Sequence, residues 1–368
     1  MKKSLSISAI IFFTLFLWSC APKTNNTTTT QPATNSPTMA PEQNGNNQNS
    51  SENMGNTTNM AQYFIYTANE NDSTVSIVDM KSMKTIKNVS VGSKPHNVQV
   101  TPDGKYVYVV ESGNNSVTAI DTSTYSVANT IKVGMNPSHV IFSSDSKTAY
   151  VAVSEMKEID SGDMNGMKKN GNVYVIDLAK GDIVTKIKVG YMPHGLRMTP
   201  DNKYIYVANN DSNNVSVIDV STNKVIKTID VGKKPVQVAP TQDGKYVFVT
   251  LNEENSVAVI DATSMDVIKT IPVGKSPIQD FATSDNKYVY IADKGSNNVS
   301  VIDNSSMSVI NYIPAEQGTH GVVISKDGKN VFVTNTDSNS ISVIDTSSNK
   351  VIGTISVGKG PNGITIVE

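Results

Sequence analysis

From Phe64 onward the chain is a succession of short apolar runs separated by breaks of Asn, Ser, Thr and Gly. One run reads Tyr288-Val289-Tyr290-Ile291-Ala292, and after an Asn-rich break comes Val299-Ser300-Val301-Ile302-Asp303. A Ser/Thr/Asn turn leads to a third run such as Lys224-Val225-Ile226-Lys227-Thr228-Ile229. A Val-Gly step and a proline introduce a fourth, closed by a turn such as Thr101-Pro102-Asp103-Gly104-Lys105. Short runs bounded by turn residues predict β-strands. The unit restarts at Phe64, Tyr106, Thr148, Tyr204, Tyr246, Tyr288 and Asn330, every 42 residues except for a third unit of 56. Four short strands in roughly 40–45 residues is the pattern of a propeller blade. Runs such as Tyr246-Val247-Phe248-Val249 are apolar on both faces, as a sheet packed between two neighbours requires.

The expected fold is therefore all-β: a seven-bladed β-propeller of four-stranded blades over residues 63–368. The first unit enters at a second strand, Tyr63 to Ala68, and the last ends on the Pro-led run Pro361 to Val367. The C-terminal strand is expected to complete the first blade and close the ring. The runs Tyr204-Ile205-Tyr206-Val207-Ala208-Asn209 and Val215-Ser216-Val217-Ile218-Asp219, with their counterparts, resemble the YVTN-type, YncE-like repeats of β-propellers. That resemblance covers essentially all of residues 63–368 and implies that the Pro-led strand lines the central channel and the Lys-Val-Ile-type strand lies at the rim. It speaks for the fold and hardly at all for an activity.

Two sets of invariants read as scaffold. Asp79, Asp121, Asp177, Asp219, Asp261, Asp303 and Asp345 end the second run of every unit, the third strand of a blade, where a carboxylate can satisfy turn amides. Gly92, Gly134, Gly190, Gly232, Gly274 and Gly358 shape the loop before the inner strand; the sixth unit departs, with Glu316 and Thr319 in place of Gly and Pro.

The N-terminus changes the picture of where the propeller works. Lys2 and Lys3 precede an apolar run from Ile7 to Trp18 that ends in Ser19-Cys20. This resembles a lipoprotein signal peptide over residues 1–19, with Cys20 as the lipidated first residue of the mature chain. Residues 20–62, rich in Asn, Thr, Gln, Ser and Pro, read as a disordered tether. The expected location is extracytoplasmic, lipid-anchored to a bacterial membrane at the cell surface or in the periplasm, with the membrane touched through the lipid only. Cys20 is the sole cysteine, so no intramolecular disulfide forms. The net charge of −2 argues against a nucleic-acid partner. The chain is read as a monomer.

In a repeat protein, function is sought where one repeat differs from the rest. All four histidines fall at the starts of inner strands: His96, His194 and His320 share one position in the first, third and sixth units, and His139 is displaced by one residue in the second. They mark one mouth of the channel as a candidate ligand or metal site, imidazole suiting zinc, copper or iron. Period-two alternation predicts that the offset turns His139 to the other face. The 14-residue insertion, within Ser154 to Asn172, brings Met156, Met164 and Met167 to a glycine-containing loop on the same face, a candidate contact element. Arg197, the only arginine, lies on the inner strand that ends the third unit. It suggests an anionic ligand at the mouth, or an internal pair with Asp280.

The preferred functional expectation is a non-catalytic binding module, taking an unknown protein or small molecule at its channel-mouth loop face, with no cofactor assigned. The alternative is a redox-associated propeller holding copper or haem at the histidines; the chain has no Cys-x-x-Cys-His attachment motif. A lactonase-like hydrolase is the lesser alternative. No general acid and base pair is evident at the mouth, and no catalytic residue is assigned.

Overall fold

The computed structural model describes residues 63–158 and 167–368, with backbone only at 156–158 and 167–170. Residues 1–62, on which the expected signal peptide, Cys20 and the expected tether fall, and Met164 lie outside the described residues. Among the described residues the strands form seven antiparallel four-stranded sheets. Blade 1 runs from the channel outward as Pro361–Val367, Phe64–Asn69, Thr74–Asp79 and Lys84–Ser90. The C-terminal strand thus closes the ring as expected, pairing Phe64 with Val367 and Thr67 with Ile364. Each later blade opens on the inner strand that ends the preceding sequence unit. Blades 2 to 7 begin with Pro95–Val100, Pro137–Phe142, Pro193–Met198, Pro235–Pro240, Pro277–Ala282 and Thr319–Ile324. The histidines therefore sit on blades 2, 3, 4 and 7, and Arg197 on blade 4. The sequence units and the blades are offset by one strand.

Burial grades outward through each blade. Second strands such as Tyr246–Leu251 are buried at every residue but the first, because both faces meet neighbouring sheets. Outer strands such as Lys84–Ser90 bury Val89 and expose most other side chains. The core is therefore a series of apolar layers between blades, such as Tyr206, Val215, Val217 and Ile229 of blade 4 against Val238, Val247 and Val249 of blade 5.

The repeated polar residues have local reasons. Asp121 accepts hydrogen bonds from the Ser123 and Thr124 amides at 2.8 and 2.9 Å, and Asp261 from Thr263 and Ser264 in the same way. Many turn positions have positive φ, among them Asn115, Asn213, Asn223 and Asn297, which explains the wealth of Asn. The loop glycines are required for space instead. A Cβ at Gly190 or Gly358 would collide with Asn209 or Asn69, the last residue of a second strand.

Candidate functional site

The site is built on a slip in the ladder. At the head of the blade 3 inner strand, Pro137 faces Val153 and Val140 faces Val151, so three residues span two on the partner. Blades 4 to 7 slip at the same point. Such a bulge breaks period-two alternation. The third residue of one inner strand and the second of the next can then face the same space. This overturns the expectation for His139: its ring stands 4.8 Å from that of His194 and 5.8 Å from that of His96, centroid to centroid. His320 joins at 6.4 Å from His96. All four histidines converge.

The third residues make a second tier below the mouth. Asn97, His139, Gln237 and Gln279 are buried there, while Gly195, Gly321 and Gly363 make room for them. A Cβ at Gly195 would overlap the Gln237 side chain, and one at Gly363 would press on the Asn97 backbone. His139 is the imidazole of this tier.

The hydrogen bonds fix the ring states. His194 Nδ1 lies 3.1 Å from the Val236 carbonyl, which can only accept, so Nδ1 carries the proton. In the neutral ring, His194 Nε2 then accepts from His96 Nε2 at 3.2 Å. His96 Nδ1 in turn accepts from the Asn362 amide at 3.0 Å. The same amide donates to Glu70 Oε2 at 2.8 Å, and that oxygen lies 3.9 Å from His96 Nδ1. Both nitrogens of His139 and Nδ1 of His320 are buried without a hydrogen-bond partner. Burial holds His139 and His320 well below the usual imidazole range, and burial with the neighbouring His96 pushes His194 down to about 3.

One ligand nitrogen each from His96, His139 and His194 lie within 4.8 Å of one another. Two nitrogens ~2.0 Å from a tetrahedral ion stand roughly 3.3 Å apart, which the His96–His194 separation already matches. His194 Nε2 is already a free lone pair for an ion, whereas His96 Nε2 carries the proton it donates to His194. Above them opens a cavity of about 570 Å³ lined by Glu70, Met192, Lys234 and Glu253 among others.

Arg197 does not belong to this mouth. It is the fifth residue of its inner strand and lines cavities toward the other end of the channel, with Gln99, Met198 and Phe281. Asp280 makes no ion pair with it. The insertion extends the second and third strands of blade 3 as a hairpin, paired as far as Glu158 opposite Met167. Pro137, at the head of the inner strand, faces Val153, so this extension projects on the histidine face. The side chains of Met156 and Met167 lie outside the described residues. Glu70 and Asn362 escaped the sequence reading as site residues. Glu70 follows a second strand where other units carry Ser112, Ser154, Asn210, Asn252, Lys294 and Thr336, and its negative charge there was a usable signal.

Fold and site together define an all-β propeller with a histidine-lined channel mouth. The chain belongs to the YncE-like beta-propeller family, whose model matches residues 52–368. Hydrazine synthase from Kuenenia stuttgartiensis is similar at 25% identity and a TM-score of 0.67, over 77% of this chain and 92% of that one. A functionally unknown protein from Desulfotomaculum acetoxidans DSM 771 aligns at 16% identity and a TM-score of 0.70, over 83% of this chain and 99% of that one. The dihydro-heme d1 dehydrogenase NirN aligns at 16% identity and a TM-score of 0.61, over 82% of this chain and 74% of that one. The last two likenesses speak for the fold alone. A search of curated proteins returns no match.

Proposed function

We propose that this chain is a binding propeller, lipid-anchored outside the cytoplasm through Cys20, that captures a transition-metal ion with His96, His139 and His194. The observation that carries the reading is the convergence of three imidazoles in which His139 has two buried nitrogens and no partner. A buried ring normally has at least one hydrogen bond, so His139 is costly unless a ligand joins it. An all-imidazole set suits copper or zinc. To ligate through Nε2, His96 would carry its proton on Nδ1, 3.9 Å from Glu70 Oε2, with the Asn362 amide turned so that it no longer donates to that nitrogen. A carboxylate behind a ligating histidine orients the ring and raises its basicity. The ion supplies Lewis acidity or, if copper, one-electron chemistry; the residues hold it and keep it half-enclosed.

Titration of the mature chain with Zn²⁺ and Cu²⁺ by calorimetry tests this. One ion per chain is expected, with affinity falling at least ~100-fold in His139→Ala. Equal affinity in the wild type and in the His96/His139/His194 triple alanine variant would sink the reading. A second reading, a docking module for a protein partner, rests on the blade 3 hairpin that extends on the histidine face. Shortening that hairpin should then abolish partner capture and leave the metal titration unchanged.

A further inference from the structure

The other end of the channel carries a different chemistry, independent of the histidines. Arg197 is half-buried there, between adjoining cavities of about 420 and 300 Å³ that share Phe142, Met198 and Phe281. Its guanidinium sits 5.9 Å from the centre of the Phe281 ring and donates from Nη1 to Gln99 Oε1 at 3.2 Å. Among the described residues it has no other hydrogen bond and no ion pair. Asp280 is buried in the wall, its carboxyl oxygens without a hydrogen-bond partner but within electrostatic range of Arg197. Burial raises the Asp280 carboxyl above its usual range, and the nearby Arg197 guanidinium opposes that rise. Lys326 and Glu368 also line the larger cavity, where the Glu368 carboxylate accepts from the Lys326 backbone amide at 2.8 Å. What remains is a planar cation with open donors in cavities whose walls are part apolar, with Phe142, Met198 and Phe281, and part polar, with Gln99, Asn202 and Gln242.

We propose that this cavity binds a small organic monocarboxylate with an apolar or aromatic body. The carboxylate would take the free edge of the Arg197 fork, a geometry that favours two parallel hydrogen bonds. The body would lie against Phe281, Phe142 and Met198. Ligand pockets run from roughly 300 to 1,000 Å³, so these cavities limit the body to a single ring or a short branched chain. The site is distinct from the metal mouth in residues and in the chemistry it selects.

The probes are phenylacetate and its neutral isostere phenylacetamide, titrated into the mature chain by calorimetry and followed by ligand-observed NMR. Phenylacetate should bind at least ~10-fold more tightly than the amide, because only the acid pairs with the guanidinium. Arg197→Met should erase that preference while keeping weak binding of both, and Arg197→Lys should keep part of it. The His96/His139/His194 triple alanine variant should bind phenylacetate as the wild type does. Equal affinity for acid and amide in the wild type overturns the proposal, as does no binding of either below ~10 mM. Loss of acid binding in the triple variant also overturns it, since the carboxylate would then sit at the histidine mouth. The acid-against-amide comparison needs no variant, so it stands even if Arg197→Met fails to fold.

Discussion

Asp121 and His139 occupy equally regular places in their strands, yet their surroundings differ completely. Asp121 lies in an exposed rim turn where its carboxylate receives two backbone amides and a serine hydroxyl. Six other aspartates hold the corresponding position. His139 lies in the channel, where the inner strand slips by one residue, and neither ring nitrogen has a partner. At the rim, repeated side chains satisfy their own backbone, so sameness is what stabilises. In the channel, neighbouring units contribute different side chains to one shared space, and polar groups are left over. Leftover polar groups in a buried place are where a ligand gains most, since binding removes a penalty already present.

The sharpest break in this contrast removes a strand that belongs to both regions. Pro361–Val367 completes blade 1, and it also places Asn362 beside His96 and Glu70. Thr67 donates to the Gly363 carbonyl at 2.9 Å, and Thr334 to the Asn362 carbonyl at 2.8 Å, so the strand ties blades 1 and 7 together. Ile364 is buried in the core layer between them, worth roughly 1.5–3 kcal/mol by itself. Deleting residues 361–368 should lower the melting temperature by more than about 10 °C or abolish a cooperative transition. A melt within a few degrees of the wild type would show that the ring does not depend on its clasp.

Asp293 is a scaffold residue that departs from its own repeat, and restoring the repeat should stabilise. Asn69, Asn209 and Asn335 stand at the same place and donate to the third strand: Asn209 reaches Asn214 Oδ1 and Ser216 Oγ, each at 2.9 Å. Asp293 instead accepts from Ser300 at 2.6 Å and leaves Asn298 Oδ1 buried without a partner. Burial pushes the Asp293 carboxyl up to about 7. Below about pH 4 it is protonated in both the folded and unfolded states. Between about 4 and 7 only the folded state keeps the proton, so stability falls as pH rises; above about 7 the loss is complete. Asp293→Asn should therefore gain on the order of 3 kcal/mol at pH 8 and little near pH 4. Urea unfolding at both pH values checks this, and parallel pH profiles for the two proteins would refute it.

Most of this scaffold was legible in the sequence because a repeat states each requirement seven times. The strand order, the closure by Pro361–Val367 and the turn role of Asp121 all follow from residues recurring at fixed offsets. The site was less legible. The histidines were visible as departures, but the approach of His139 depends on a bulge that period-two reasoning cannot contain. Arg197 was grouped with the histidines because all lie on inner strands; three residues along a strand carries it toward the other end of the channel. Glu70 was missed because it belongs to blade 1 and meets His96 of blade 2 only where the two adjacent blades pack together.

On the channel side, Glu70→Gln separates a metal site from a passive cluster of rings. The amide keeps the size of Glu70 but removes the charge behind His96 Nδ1. Affinity for Zn²⁺ or Cu²⁺ in the mature chain should fall ~10- to 100-fold, with the melting temperature of the metal-free protein hardly moved. Unchanged affinity would mean that His96 is not oriented by Glu70 when the ion is held.

The smallest effect is expected where the repeat is most regular. Asp121→Ala removes two amide contacts from one exposed turn, and water can replace both. Asp303→Ala removes the bonds from the Ser306 amide and the Ser305 hydroxyl in the matching turn of blade 6. The two turns belong to different blades and share no partner, so their effects should add. Each variant should lower the melting temperature by a similar small step, the double variant by the sum, and none should change metal affinity. A double variant that lost far more than the sum would reveal coupling around the rim. The rim would then transmit strain between blades, and its sameness would reflect more than seven independent turns.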